Sequence, residues 1–189
     1  MNPDPLTGTV KAAAVQAAPV FLDRDATVEK ACRLIGEAAE QGARIMAFPE
    51  TFIPGYPFWP RDNTGAAREP ILRAFVSYFR NSVEIPSPQT DALCEAARKA
   101  NAYVVIGISE RDREFGGTLY NTMLFIGPDG AILGKHRKLT PTYGERCIWG
   151  AGDGSTLNVF PTEYGGLGGL VCYEHHMVLT RYALMAMGE

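Results

Sequence analysis

The apolar positions of this 189-residue chain change period several times, and each change marks an element. Val10 to Ala17 is an Ala- and Val-rich run closed by Pro19, which predicts a short strand. From Asp23 to Ala39 the residues Val28, Ala31, Cys32, Ile35 and Ala39 recur at helical spacing, and Gly42 ends the pattern. Arg44 to Phe48 is compact and apolar and breaks at Pro49, so the opening reads strand, helix, strand, with the strands parallel. A second helix carries Ile71, Leu72, Phe75, Val76 and Phe79, and a third Leu93, Ala96, Ala97 and Ala100, with Pro86 and Pro88 between them. Tyr103 to Ile108 reads as a buried strand. Tyr120 to Ile126 and Ala131 to Gly134 flank Pro128-Asp129-Gly130, which predicts an antiparallel hairpin. Leu157 to Phe160 and Gly168 to Val171 are expected to complete the strands, and Glu174 to Met187 to form a last helix. The sum predicts an α/β layered domain with a mixed sheet over residues 10–189, after a disordered tail over 1–9.

Composition narrows the partners. Apolar residues make up 46% of the chain and charged ones 21%, enough for one substantial core. With 18 Lys and Arg against 21 Asp and Glu, the net charge is only -3, so no long-range field draws nucleic acid or anionic lipid, and a small-molecule partner is expected. The amino terminus has neither a basic nor an apolar leader segment, and no run reaches membrane-spanning length, so the expected location is cytoplasmic. The four cysteines, Cys32, Cys94, Cys147 and Cys172, form no CxxC pair and read as free thiols.

Three places carry candidate chemistry. Glu50 sits just past a predicted strand, at the end where the loops of open α/β sheets converge on ligands. The loop after it, Thr51 to Pro60, holds Phe52, Tyr56, Phe58, Trp59 and three prolines, a stiff wall able to desolvate a carboxylate and raise its proton affinity. A carboxylate there is more often a solvated group or a cap. Lys138 ends the run Lys135-His136-Arg137-Lys138, which by itself reads as a solvated basic strand end, yet Leu139, Pro141 and Tyr143 give one cation a reason to turn inward. Cys172 closes the run Gly168-Gly169-Leu170-Val171 and leads into a helical pattern. This resembles a nucleophile elbow, where a nearby helix N-terminus favours the thiolate. A lone cysteine usually only packs. His136, His175 and His176 with Cys172 match no recurrent zinc spacing. Cys32 and Cys94 fall on helix faces and read as structural, and Trp149, Tyr56 and Trp59 are pocket candidates that could equally be core.

Taken together, Phe48-Pro49-Glu50, His136-Arg137-Lys138-Leu139 with Pro141-Thr142-Tyr143-Gly144-Glu145-Arg146, and Gly168 to His175 resemble the three catalytic segments of the nitrilase superfamily, in order and in spacing. The likeness runs from about Val10 to the last residue and includes Trp149-Gly150 and Gly152-Asp153-Gly154. Glu145-Arg146 through Trp149-Gly150, and the pair Glu174-His175, resemble the nitrilase branch more than the amidase or carbamoylase branches. Tyr173 departs from it, because nitrilases commonly have Trp there.

The resemblance implies an αββα sandwich and hydrolysis of a nitrile to a carboxylic acid and ammonia. In that reading Cys172 is the nucleophile, Glu50 the base, Lys138 the stabilising cation, and Glu145 orients Lys138 or water. Tyr56, Trp59, Tyr143 and Tyr173 are the expected substrate contacts, and no metal or organic cofactor is required. Family members continue well beyond the cysteine segment, so a chain truncated there, with uncovered sheet edges, is expected. Self-association through helices near the site is implied as well. Aliphatic, aromatic and arylaceto nitriles all remain open. So do an amidase or carbamoylase of the same fold and a non-catalytic truncated interaction subunit.

Overall fold

The computed structural model describes residues 9–61 and 68–189. Five strands form one mixed sheet in the spatial order β1 (Ala12–Ala14), β2 (Ile45–Ala47), β3 (Tyr103–Arg111), β4 (Leu119–Ile126), β5 (Ile132–Arg137). β1, β2 and β3 run parallel, whereas β4 is antiparallel to both β3 and β5. Parallel neighbours need a crossover. Helix α1 (Arg24–Glu40) supplies the first, and α2 (Arg68–Arg80) and α3 (Pro88–Ala100) lie in the second. The expected tail over residues 1–9 falls, apart from Thr9, outside the described residues.

Local chemistry fixes the helix ends. Asp23 accepts from the Ala26 N–H at 2.9 Å and so starts α1. Ser87 and Thr90 cap each other reciprocally at the start of α3, Pro88 occupies its first turn, and Asn101 at φ 47° ends it. Val28, Ala31 and Ile35 of α1 meet Leu93, Ala97 and Ala100 of α3 over Val104, Ile106, Ile108, Leu124 and Ile126 of the sheet. Burying Ile35 completely makes its truncation to Ala worth about 2–5 kcal/mol.

Strand side chains alternate, so the residues between these core positions occupy the other face. The register aligns Gly107 with Met123 and Met123 with His136, and Val105 with Phe125 and Phe125 with Gly134. Part of this second face lies under Phe160, whose ring centre is 5.0 Å from that of Phe125; a Cβ on Gly134 would stand 2.6 Å from the Phe160 ring. A further cluster of Tyr78, Leu119, Ile148 and Trp149, with Tyr56, Trp59, Phe75 and Phe79 packed on it, supports the loop after Glu50.

Three expectations change. The strand expected over Leu157 to Phe160 begins only at Phe160 and belongs to a small hairpin, β6 (Phe160–Thr162) with β7 (Gly165–Leu167). Its turn is closed by the Thr162 hydroxyl, which accepts from the Tyr164 N–H and donates to the Gly165 carbonyl, a weaker signal than Asn-Gly. Gly168 to Val171 joins no ladder among the described residues, although a Cβ on Gly169 would press on Met123. The last helix divides into a 3-10 turn, Cys172–His176, and α4 (Val178–Ala186), because Met177 between them is extended at φ -81°, ψ 93°. Among the described residues no helix is long and apolar enough to cross a membrane.

Candidate active site

Glu50 follows β2, and its loop lies directly on β3 because Gly107 has no side chain. A Cβ there would sit 2.3 Å from the Pro49 carbonyl oxygen and 2.5 Å from the Thr51 nitrogen. Thr51, immediately after Glu50, is held at φ 43°. The Glu50 carboxylate keeps 24% side-chain exposure and accepts through Oε1 from Asn121 Nδ2 at 2.7 Å and from Lys138 Nζ at 3.0 Å.

The basic run at the end of β5 is not a solvated face. Alternation sends Lys135 and Arg137 to one side, where both bind the buried Glu110, Arg137 also reaches Asp112 at 2.7 Å, and its guanidinium stacks 3.9 Å over Tyr120. His136 and Lys138 go to the other side and are buried. Lys138 is only 1% exposed and lies between Glu50 and Glu145, donating to Glu145 Oε2 at 2.7 Å. Burial works against its charge, but Glu145 and Glu50 outweigh burial and hold the ammonium above its ordinary value.

Glu145 is itself fixed by the backbone. It sits in the 3-10 turn Tyr143–Cys147, and its Oε2 accepts from the Thr142 N–H at 2.8 Å. Its Oε1 accepts from the Tyr56 hydroxyl at 2.7 Å. The elbow at Cys172 repeats the device: Glu174 reaches back to the Val171 N–H at 2.7 Å, just as Glu145 reaches back to Thr142. In each turn the first residue has positive φ, 49° at Tyr143 and 55° at Cys172. Left-handed backbone at non-glycine residues costs of order 1–3 kcal/mol and clusters at functional sites.

Cys172 and Glu50 line one cavity of about 150 Å³, together with Phe48, Gly107, Asn121 and Val171. Burial pushes the thiol above its ordinary value, the Glu50 carboxylate adds to this, and the Lys138 ammonium opposes both. The expected helix N-terminus beside the sulfur is absent, because α4 starts only at Val178. The neighbouring cation, rather than a helix end, favours the thiolate. Glu50 also borders a larger, mostly apolar cavity of about 360 Å³ walled by Pro19, Phe21, Phe52, Tyr56 and Phe58.

The four expected substrate contacts separate. Tyr56 lines the larger cavity and holds Glu145. Trp59 packs edge-on to Tyr78 and Phe21, while the exposed Tyr143 and Tyr173 lie outside the lining of the Cys172 cavity. Trp149 is core, donating from Nε1 to Ser109 Oγ at 3.1 Å. His136 faces Glu174 and His176 packs on Tyr173, so the histidines and Cys172 do not converge. Sequence reasoning passed over Gly107 and Asn121. Their signals, a glycine and an amide within apolar strands, were present but had no partner to give them meaning.

A profile of the carbon-nitrogen hydrolase family matches residues 11–189. The chain is 48% identical over 179 residues to a nitrilase of Bacillus sp. (strain OxB-1), covering 95% of this chain and 51% of that protein. It is 45% identical over 183 residues to an aliphatic nitrilase of Rhodococcus rhodochrous, covering 97% and 49%. It thus spans about half the length of the curated relatives it matches. Among solved structures, Saccharomyces cerevisiae Nit3, a member of branch 10 of the nitrilase superfamily, superposes with a TM-score of 0.76 at 22% identity, over 94% of this chain and 60% of that one. A mutant of the Nesterenkonia amidase from the same superfamily superposes at 0.69 and 19% identity, over 94% and 61%. With a mixed sheet backed by helices, the three motif segments meeting on its second face and a family profile spanning nearly all of its length, the chain belongs to the carbon-nitrogen hydrolase family.

Proposed function

We propose that this chain carries the nucleophile, base and cation of a nitrile-hydrolysing enzyme. The observation that carries the reading is the shared carboxylate: Glu50 bonds Lys138 and lines the same cavity as Cys172. Glu50 takes the thiol proton, the sulfur adds to the nitrile carbon, and the nitrogen is protonated to give a thioimidate. Lys138 stabilises the charge that develops on nitrogen, and Glu145 keeps the ammonium aimed. One water adds to the thioimidate carbon and ammonia leaves, forming a thioester. A second water releases the carboxylic acid and restores the thiol.

The likeness to nitrilases at 45–48% identity supports a nitrile over an amide as substrate. The test is intact-mass spectrometry of the chain after exposure to aliphatic, aromatic and arylaceto nitriles, with ammonia assayed in parallel. An adduct and ammonia that disappear in Cys172→Ala are expected. Faster release from the matching amides would move the substrate assignment to the amidase side.

We also place the protein in the cytoplasm, on the strength of four free thiols, and expect it to self-associate, since α4 presents Val178, Leu179, Tyr182 and Met185 to solvent. Sedimentation as a compact monomer at high concentration would remove the second expectation, and export from expressing cells the first.

A further inference from the structure

Glu174 is 1% exposed, and among the described residues every polar contact of its carboxylate leads to one of two segments. Oε1 accepts from the Leu139 N–H at 2.8 Å, and Oε2 from the Val171 N–H at 2.7 Å. His136 Nε2 faces both oxygens, at 3.2 and 3.0 Å, and donates, because an ionised carboxylate only accepts. His136 and Leu139 flank Lys138 in the chain, and Val171 directly precedes Cys172. One buried carboxylate therefore clamps the strand end bearing the ammonium to the elbow bearing the thiol. No ladder hydrogen bonds join these two segments among the described residues, so the clamp replaces the sheet register that would otherwise fix their spacing. The strained Cys172, at φ 55°, needs such a restraint on its N-terminal side. Burial opposes the charge on Glu174, yet His136 and the Leu139 and Val171 amides hold its carboxyl below the usual range, so it is an anion at neutral pH.

We propose that Glu174 is a positioning residue that sets the distance between Lys138 and Cys172, with His136 as its second leg. The assignment rests on reading those two residues as cation and nucleophile. It is tested without nitrile turnover, by following alkylation of Cys172 with iodoacetamide against pH at peptide resolution, with the exposed Cys147 as internal reference. In Glu174→Gln the amide must point an N–H at one of the donors now bound, which opens the clamp. Alkylation of Cys172 at pH 8 is expected to slow about 10- to 100-fold, the cost of a misplacement near 1 Å, with the profile moved to higher pH and Cys147 unchanged. Simple removal of a nearby negative charge would move the profile to lower pH. That result, or superposition on the unsubstituted chain, overturns the proposal.

Should Glu174→Gln fail to fold, His136→Leu removes one leg and leaves both amide contacts. It should slow Cys172 alkylation by about threefold or more, less than the full displacement, whereas His136→Gln, which keeps an N–H donor, should stay near the unsubstituted rate. Leu and Gln variants both indistinguishable from the unsubstituted chain would also overturn it. A chain that alkylates normally at Cys172 but releases no ammonia from nitriles would remove nitrile hydrolysis by this chain alone and leave the clamp standing.

Discussion

A thiol that shares a cavity with a carboxylate is harder to ionise: burial raises the proton affinity of Cys172 most, Glu50 adds to it, and Lys138 pulls it down. The two neighbours can be separated by substitution. In Glu50→Gln the alkylation profile of Cys172 should move to lower pH, because a raising charge is gone. Nitrile turnover should nevertheless fall about 10²- to 10⁴-fold, the usual worth of a general base. Turnover that survives would remove Glu50 from the base role, and a thiol profile that rises would overturn its electrostatic effect on Cys172. Lys138→Met should move the thiol the other way. It also leaves Glu50 and Glu145 facing each other without the cation that lies 3.0 and 2.7 Å from them. The stabilising charge is thus local, built from side chains rather than a helix dipole.

Within an element, glycine positions separate what packing requires from what it tolerates. Gly107 lies under the Glu50 loop, and a methyl there would press into the Pro49 carbonyl and the Thr51 amide. Gly107→Ala should cost about 1–3 kcal/mol from overpacking and should lower turnover by more than that stability loss explains, since Glu50 must shift. Gly36 lies inside α1, and an added Cβ meets nothing within 4 Å. Gly36→Ala should therefore stabilise the chain by about 0.5–1 kcal/mol with turnover unaltered. Urea unfolding of the two variants beside the unsubstituted chain reads both effects. A stabilised or unaffected Gly107→Ala would mean that the loop has room that the geometry denies.

Across the whole molecule, stability in acid should be governed by carboxylates whose protons bind less readily in the folded state. Burial resists the charge of Glu110, but Arg137, Lys135 and Thr122 hold its carboxyl below its ordinary 4.5, and Glu174 is lowered too. Their contribution is complete above the unfolded carboxylate range of about 4.3 and is lost as pH falls through the lower folded values. Thermal midpoints should thus fall steeply below about pH 4.5. Glu110→Gln should cost, at neutral pH, toward the low end of about 3–5 kcal/mol, because Lys135 and Arg137 retain some water, and should flatten the acid decline. An unchanged acid slope in that variant would show that the ion cluster is not what acid dissolves.

Period and punctuation in the chain determined the strand-helix-strand opening, the third helix, the β4–β5 hairpin and the positions of the three motif segments. Each of these rests on contacts or caps local in sequence, or on an apolar face whose period is visible without knowing its partner. Tertiary structure decided the rest. Alternation in β5 was legible, but only the sheet showed that Lys138 points toward Glu50 while Arg137 points toward Glu110. Gly107, Asn121 and Glu174 act through residues that are distant in sequence or, for Glu174, partly so, and a single chain carries no record of such a partner until folding brings it within about 3 Å, the reach of a hydrogen bond. The division of the last helix and the β6–β7 hairpin escaped the pattern for a different reason, one local in sequence. Both depend on hydrogen bonds that a carboxylate or a hydroxyl makes to the backbone, and these override an apolar period too short to enforce itself.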